Sequence, residues 1–546
     1  MLDLLIKNGT IIDGTGNPRY NADIAIEKGV ISRIEPRIDD AAIRTIDADG
    51  LFISPGFIDT HSHYDFTALL ASDCALLLEQ GVTTQLVGNC GDSMTPYPSC
   101  VLDPKIPSYL TDEQILSLKQ ICASPDTFMA HASGQAYGVN TAFLIGHNSL
   151  RLNAIGSGNV KATDSQLKSM KEMVRLAMEE GMFGFSSGLA YAPSSYADTE
   201  ELSELAKVAA EYGGIYASHI RNEGNHVLDA VAEAIQIGEA SGAAVLISHI
   251  KIMGNDCADR AVKVLELIQN ARERGLNVFA DQYPYEAASA PLLSQIHPKY
   301  LANGLESTLR MIADPAMRKQ LEQSVFEDTP EFESCLRCSG YAGSVIVEAN
   351  KTPQYIGLSI ADAAKADGKE PIEFMMDLLL ENNGEVRCTY FTQQPDDILT
   401  FLKAPFVYTG DDWAVLGNRP DPDKNGGGHP RGTAAFVRKI ELARDHAHLI
   451  PEACIFRMTG GPAGALGLTG RGFIRETYAA DLCILDYDHV YAEADYLHPF
   501  RRNHGIRYVI VNGQIAVENG YCNGKKYGKA LLRNAKPEKE NYETVH

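Results

Sequence analysis

The stretch GFIDTHSHYD, Gly56 to Asp65, follows directly on an apolar run and sets two histidines, His61 and His63, one residue apart. In an extended chain residues i and i+2 face the same side, so two imidazoles at a strand end can converge on one ion. An isolated His-x-His is more often a pair of surface side chains, and the rest of the chain has to decide. Working outward, seven further short apolar runs end in polar residues: TTQLVGNCG, TAFLIGHN, MFGFSSGL, GIYASHIRNE, AVLISHIK, NVFADQYPY and PFVYTGDDW. Most are followed by helical patterns. In TDSQLKSMKEMVRLAMEEG, Thr163 and Asp164 are capping residues, Leu167, Met170 and Val174 share one face, and Gly181 is a stop. His219 and His249 lie 30 residues apart and Asp281 follows 32 later, about one strand–helix unit each. Eight such units predict an α/β fold, a (β/α)8 TIM barrel over residues 55–466, with its chemistry at the C-terminal ends of the strands.

The chain ends have a different texture. LLIKNGTIIDG and ADIAIEKGVISRIE near the start, and ADLCILDYDHV and IRYVIVNGQIAVENG near the end, are short apolar clusters broken by turn dipeptides. They predict one small β-sandwich built from both termini, residues 1–54 with 467–525. Residues 286–349, with VRCTYFTQQ as a spare strand, read as an insertion over the barrel mouth, either a lid or a plain extension. The polar stretch 526–546 reads as a loosely held tail.

Composition sets bounds. At 546 residues the chain exceeds one ordinary domain, and 45% hydrophobic with 22% charged residues is a globular balance. No apolar run approaches the ~20 residues of a membrane span. The start MLDLLIKNGTIIDGTG lacks a basic segment and a small-residue cleavage site, so no signal peptide is read and a cytoplasmic location is expected. A net charge of -23 argues against nucleic acid as a partner. Eleven cysteines, an odd number scattered along the chain, suggest reduced thiols. Cys335 and Cys338 form a lone C-x-x-C, a weak zinc or redox signal, and DGTG at Asp13–Gly16 belongs to a hairpin turn.

His61, His63, Cys90, His219, His249 and Asp411 all fall at the ends of predicted barrel strands. Each alone has a bland reading as core, wall or helix cap, but together they predict a metal centre. Cys90, His219 and His249 make a zinc set of three protein ligands, at ~2.3 Å for sulfur and ~2.0–2.1 Å for nitrogen. His61, His63 and Asp411 form a second, weaker site beside it. A metal activates its bound water, and Asp411 is assigned as general base and then acid. Asp412 is the competing choice, and the apolar run before Gly410 favours Asp411 as the inward residue.

GFIDTHSHYD, GVTTQLVGNCGDS, GFSSGLAYAP, SHIRNEG, ISHIK, DQYPY, HPRGTAAF and MTGGPAGALGLTGRGFI together resemble the N-acyl-D-amino-acid deacylases (D-aminoacylases) of the amidohydrolase superfamily, up to about residue 515. The resemblance implies a tightly held zinc on Cys90, His219 and His249, with His61, His63 and Asp411 at the weaker site and the catalytic position. Lys251, Tyr283 and Ser289 match positions associated with the substrate carboxylate, and Tyr191 is read as a further substrate-binding residue. The implied reaction is zinc-dependent hydrolysis of small N-acyl-D-amino acids. Departures lie at TGDDW, at Asp92 after GNCG, and around SQIHPKYLANG, which puts acyl and side-chain preference in question. Two rivals from the superfamily are a cyclic-amide hydrolase (hydantoinase or dihydroorotase type) and an acyl-dipeptide hydrolase. The first usually carries a metal-bridging lysine, which MFGFSSG does not offer. A rival of another class is a non-catalytic barrel scaffold. Oligomeric state is not legible in the sequence.

Overall fold

The structure is a computed structural model that describes residues 1–65, 73–98, 110–254, 259–413, 420–421 and 428–533. Eight parallel strands form its centre, hydrogen-bonded in chain order: Phe57–Asp59, Val82–Val87, Asn140–Gly146, Gly184–Gly188, Ile215–His219, Ala244–Ile247, Val278–Gln282 and Val407–Thr409. Each is one of the eight apolar runs. The strands are short, and nearly every residue in them is buried, as expected for parallel strands covered on both faces. The first and eighth strands meet at their C-terminal ends. Thr60 N–H donates to Thr409 O at 3.2 Å, Asp412 N–H to His61 O at 2.8 Å, and His63 N–H to Trp413 O at 3.0 Å.

The helices cover this barrel for local reasons. Thr163 and Gln166 form a reciprocal capping box at the start of Asp164–Glu179, whose Met170, Val174 and Ala177 are buried. Asp198 caps Thr199–Glu211 in the same manner by accepting from Glu201 N–H. The helix Arg431–Asp445 follows the eighth strand, and its buried Lys439 donates to Val407 O at 3.3 Å and Tyr408 O at 3.0 Å.

The terminal strands form a nine-stranded sheet in which Leu2–Ile11 is the branch point. Its first half pairs with Ala42–Asp47 and its end, Thr10 and Ile11, with Phe52–Ile53, after a register shift between Ile6 and Gly9. The split yields two layers packed on Ile6, Ile24, Ile46, Ile53, Leu482 and Ile484. Leu482–Leu485 pairs antiparallel with Phe52–Pro55, which is where the two ends of the chain join.

Over the barrel mouth lies a three-stranded antiparallel sheet, Ala287–Pro291, Val386–Phe391 and Ser344–Ala349, with the second in the middle. VRCTYF is therefore the centre of this unit rather than a spare strand, and the unit runs well past residue 349. It has its own core, which includes Leu292, Leu336, Ile346, Phe374 and Tyr390. Of the tail expected over 526–546, the first part is tied down. Tyr137 N–H donates to Gly528 O at 3.0 Å, Leu531 N–H to Thr141 O at 2.8 Å, and Arg533 N–H to Gly181 O at 2.8 Å. Residues 534–546 lie outside the described residues.

Burial pushes the Lys439 ammonium down from 10.5 to about 7. Between these values the unfolded chain binds a proton that the folded protein does not, so this group's contribution to stability rises with pH through that window, by at most ~1.4 kcal/mol per pH unit. Urea unfolding of the wild type and of Lys439→Met at pH 7.5 and 9.5 should show the wild type gaining about 2 kcal/mol on the variant. A difference independent of pH would mean that Lys439 keeps its proton in the fold.

Candidate metal centre

The sulfur of Cys90 is the hub. Its Sγ lies 3.3 Å from His61 Nε2, 3.3 Å from His249 Nε2 and 3.7 Å from His219 Nδ1. The four residues are almost fully buried. They come from the ends of the first, second, fifth and sixth strands, so barrel closure gathers imidazoles that lie as far as 159 residues from Cys90 in the chain. Cys90 holds its sulfur inward from a left-handed backbone, φ 54°. The turn is compact because a methyl group on Gly188 would come within 2.0 Å of Cys90 O, leaving room only for glycine.

One carboxylate completes the cluster, and it is Asp412, not Asp411. One donor atom from each of His61, Cys90, His249 and Asp412 lies within 4.8 Å of the other three. Asp412 Oδ1 is 3.2 Å from His63 Nε2 and 3.6 Å from His61 Nε2, and its Oδ2 takes Arg431 Nη1 at 2.7 Å. His63 thus reaches the cluster through Asp412. Asp411 turns away from the mouth: its N–H donates to Asp59 Oδ1 at 3.1 Å, and its Oδ1 accepts from Trp413 N–H at 3.0 Å. The apolar run before Gly410 favoured Asp411, but the strand ends at Thr409 and Asp412 takes a left-handed turn, φ 47°, that swings its side chain inward.

Burial sets the protonation pattern. It pushes His61 and His249 well below the ordinary imidazole range and His219 to about 4, so all three rings are neutral, with lone pairs free for a cation. Burial, and then the Asp412 charge, raises the Cys90 thiol well above its ordinary value. Only a bound cation would offset that and draw off its proton. Burial also acts on Asp412, but the Arg431 guanidinium, with a hydrogen bond from His63, outweighs it and holds the carboxyl well below its usual range. Asp411 goes the other way, raised well above by burial and by Asp59 beside it, a buried acid pair that favours the protonated form.

A second layer orients the imidazoles. With Nε2 turned to the sulfur, His249 Nδ1 lies 3.0 Å from Glu223 Oε1 and 2.8 Å from Lys251 Nζ, and Lys251 Nζ donates to the same carboxylate. Asp281 accepts from Thr60 Oγ1 at 3.0 Å and from His249 N–H, and lies 3.7 Å from His61 Nδ1. Burial raises its carboxyl to about 7. His219, Glu223 and His249 form a second group of potential donors. Glu333, from the unit over the mouth, accepts from Glu223 N–H and places Oε1 3.8 Å from His219 Nε2.

Of the residues read as substrate-binding, Lys251 and Tyr283 meet, with Nζ 5.5 Å from the ring centre. Tyr191 packs its ring edge-on to His219 at 4.8 Å. Ser289 lies on the first strand of the capping unit, its Oγ buried without a hydrogen-bond partner. Sequence reasoning missed Glu223, Arg431 and Glu333. The first two stand inside the quoted motifs SHIRNEG and HPRGTAAF, but no spacing rule singles them out. Arg431 lies 4.4 Å over the Tyr283 ring while pairing with Asp412.

The chain as a whole has counterparts among known proteins. Residues 348–517 match the family model described as the amidohydrolase family. The D-aminoacylase of Alcaligenes xylosoxydans xylosoxydans is 30% identical over 535 residues, 98% of each chain. The chain belongs to the D-aminoacylase family. The N-acyl-D-glutamate deacylase of the same organism is also 30% identical, over 94% of this chain and 93% of that one. Among solved structures, the N-acyl-D-glutamate deacylase of Bordetella bronchiseptica, complexed with zinc and a phosphonate inhibitor, superposes with a TM-score of 0.80 at 30% identity, covering 97% of this chain and 99% of that one. A D-aminoacylase crystal structure gives 0.80 at 28% identity, over 98% and 100%. An L-hydantoinase from Arthrobacter aurescens shares the fold at 0.57 and 17%.

Cys90→Ala removes the sulfur that all three imidazoles approach. Metal analysis of the purified variant should show loss of the tightly held ion, with the circular dichroism spectrum of the barrel preserved. Full metal occupancy in Cys90→Ala would remove the sulfur from the centre.

Proposed function

We propose that this member of the family hydrolyses the linear amide of N-acyl-D-amino acids, releasing a carboxylate and a free D-amino acid. The observation that carries the reading is the buried Cys90 sulfur within 3.3–3.7 Å of three neutral imidazoles, with an ionised Asp412 at its edge. A thiolate with imidazoles suits zinc, the metal in the related phosphonate complex. One tight ion at Cys90, His219 and His249, with a weaker position toward His61, His63 and Asp412, fits a related D-aminoacylase described as binuclear with one-metal activation and second-metal attenuation. Zinc in this centre supplies polarisation of the acyl carbonyl and acidification of water.

The chain's own residues do the rest. Asp412 Oδ1 takes the proton from the attacking water and delivers it to the departing amide nitrogen. Arg431 keeps that carboxylate ionised before the first transfer and restores it after the second. Lys251, Tyr283 and Arg431 present two cations and a phenol on one side of the centre, a set suited to the substrate carboxylate. Burial disfavours the Lys251 charge, but Glu223 beside it prevails and holds the ammonium above its ordinary range. Ser289 and Tyr191 complete the walls. The reading as a cyclic-amide hydrolase finds no support at the hub, where a cysteine stands at the meeting point of the imidazoles. No helix among the described residues is long and apolar enough to cross a membrane. A cytoplasmic setting accords with the nine described cysteines, all free thiols.

Purified zinc-loaded protein should cleave N-acetyl-D-amino acids and leave their L-enantiomers and hydantoins largely untouched. Asp412→Asn should lower kcat by roughly 10²–10⁴-fold with folding intact, whereas Asp411→Asn, at a carboxyl that is already neutral, should lower it far less. Equal losses in the two variants, or turnover of hydantoins alone, would overturn the assignment.

A further inference from the structure

At the end of the third strand, the sequence Gly146-His147-Asn148-Ser149 grips the Cys90 turn. Asn148 N–H donates to Gly91 O at 2.8 Å, and its Nδ2 donates to Cys90 O at 3.4 Å and to Asp92 Oδ1 at 3.1 Å. Ser149 and Ser93 exchange bonds, Ser93 N–H to Ser149 Oγ at 3.1 Å and Ser149 Oγ to Ser93 O at 2.8 Å. A methyl on Gly146 would come within 2.3 Å of Gly91 O, so the two turns touch backbone to backbone.

The same residues hold a second loop. Asn148 Oδ1 accepts from Ser194 N–H at 2.8 Å, and His147 Nδ1 lies 2.7 Å from Ser194 Oγ. His147 Nε2 lies 2.9 Å from Glu201 Oε1, and Glu201 is gripped by Arg151 Nη1 at 2.7 and 2.8 Å. With Glu201 ionised, Nε2 carries the proton and Nδ1 accepts from the Ser194 hydroxyl. Serine, histidine and acid thus line up as in a nucleophilic relay, but Ser194 and His147 are fully buried and no substrate reaches them. The serine instead anchors the segment that carries Tyr191, whose ring lies against His219.

We propose that Asn148, braced by His147, is a positioning residue that sets the left-handed Cys90 turn and the Tyr191 loop in one register, so that a single amide governs both metal affinity and substrate fit. The inference rests on the metal-centre reading above. Left-handed backbone at a cysteine is costly and persists only where neighbours impose it, and the Asn148 bonds to Gly91 O and Cys90 O help impose it here, beside Ser186 Oγ on Gly91 N–H. Groups that orient a metal ligand without touching the metal typically change affinity by about 10–100-fold when removed.

The test compares wild type, Asn148→Ala and Ser194→Ala. Each is titrated with zinc against a chelator, reconstituted with cobalt(II) to read the thiolate-to-cobalt absorption band, and assayed on N-acetyl-D-amino acids. Asn148→Ala should bind zinc about 10–100-fold more weakly with a shifted or weakened cobalt band, whereas Ser194→Ala should keep both and raise KM. If Asn148→Ala fails to fold, Asn148→Asp serves: it keeps the acceptor for Ser194 N–H, loses both Nδ2 donations, and should show the same zinc loss. A folded Asn148 variant with wild-type zinc affinity and an unchanged cobalt band overturns the proposal and leaves the functional reading intact. A wild type that binds no zinc overturns both.

Discussion

Everything at the barrel mouth depends on one buried thiol surrounded by neutral imidazoles. Removed from water, Cys90 cannot ionise on its own, and the three histidines around it cannot take up protons to compensate. Such a cluster of unionised, acceptor-rich side chains is a poor way to stabilise a core and a good way to hold a cation. The barrel makes it reachable: the ends of the first, second, fifth and sixth strands converge on one rim because the first and eighth strands close through a handful of backbone hydrogen bonds. Stability is supplied elsewhere, by the apolar strands and amphipathic helices beneath.

Two adjacent aspartates show how strongly environment divides identical chemistry. Asp411 faces Asp59 in a sealed pocket, where two carboxyls within hydrogen-bonding reach disfavour a shared pair of charges. Asp412, one residue on, faces Arg431 and stays ionised against the same burial. Arg431 therefore links two features, the charge state of the Asp412 carboxylate and the cationic wall beside Tyr283. A substitution there would disturb both, which makes it a poor probe of either.

The unit over the mouth is docked onto the loops that carry the chemistry. Asn222 donates to Phe332 O at 3.2 Å, Gly254 N–H to Thr392 O at 2.9 Å, and Glu333 accepts from Glu223 N–H. These contacts tie the capping unit to the loops after the fifth and sixth strands, which bear His219 and His249. The roof therefore shapes the pocket through the same carboxylate, Glu223, that orients His249 and receives Lys251. Variation in this unit can alter substrate preference without touching the metal donors.

Apolar runs ending in polar residues, spaced by helix-length segments, were enough to specify the barrel and its eight strands, because parallel strands must be apolar on both faces and helices need amphipathic spacing. His61, Cys90, His219 and His249 were legible for the same reason: strand ends in such a barrel point to one rim. The choice between Asp411 and Asp412 was not, since it turns on a single left-handed residue beyond the last strand. Glu223, Arg431 and Glu333 were illegible too, because each acquires its role from a loop or an inserted unit that meets the site only in three dimensions. Spacing along a chain records periodic structure, whereas the partner of a loop side chain is set by packing between segments that the linear order does not relate.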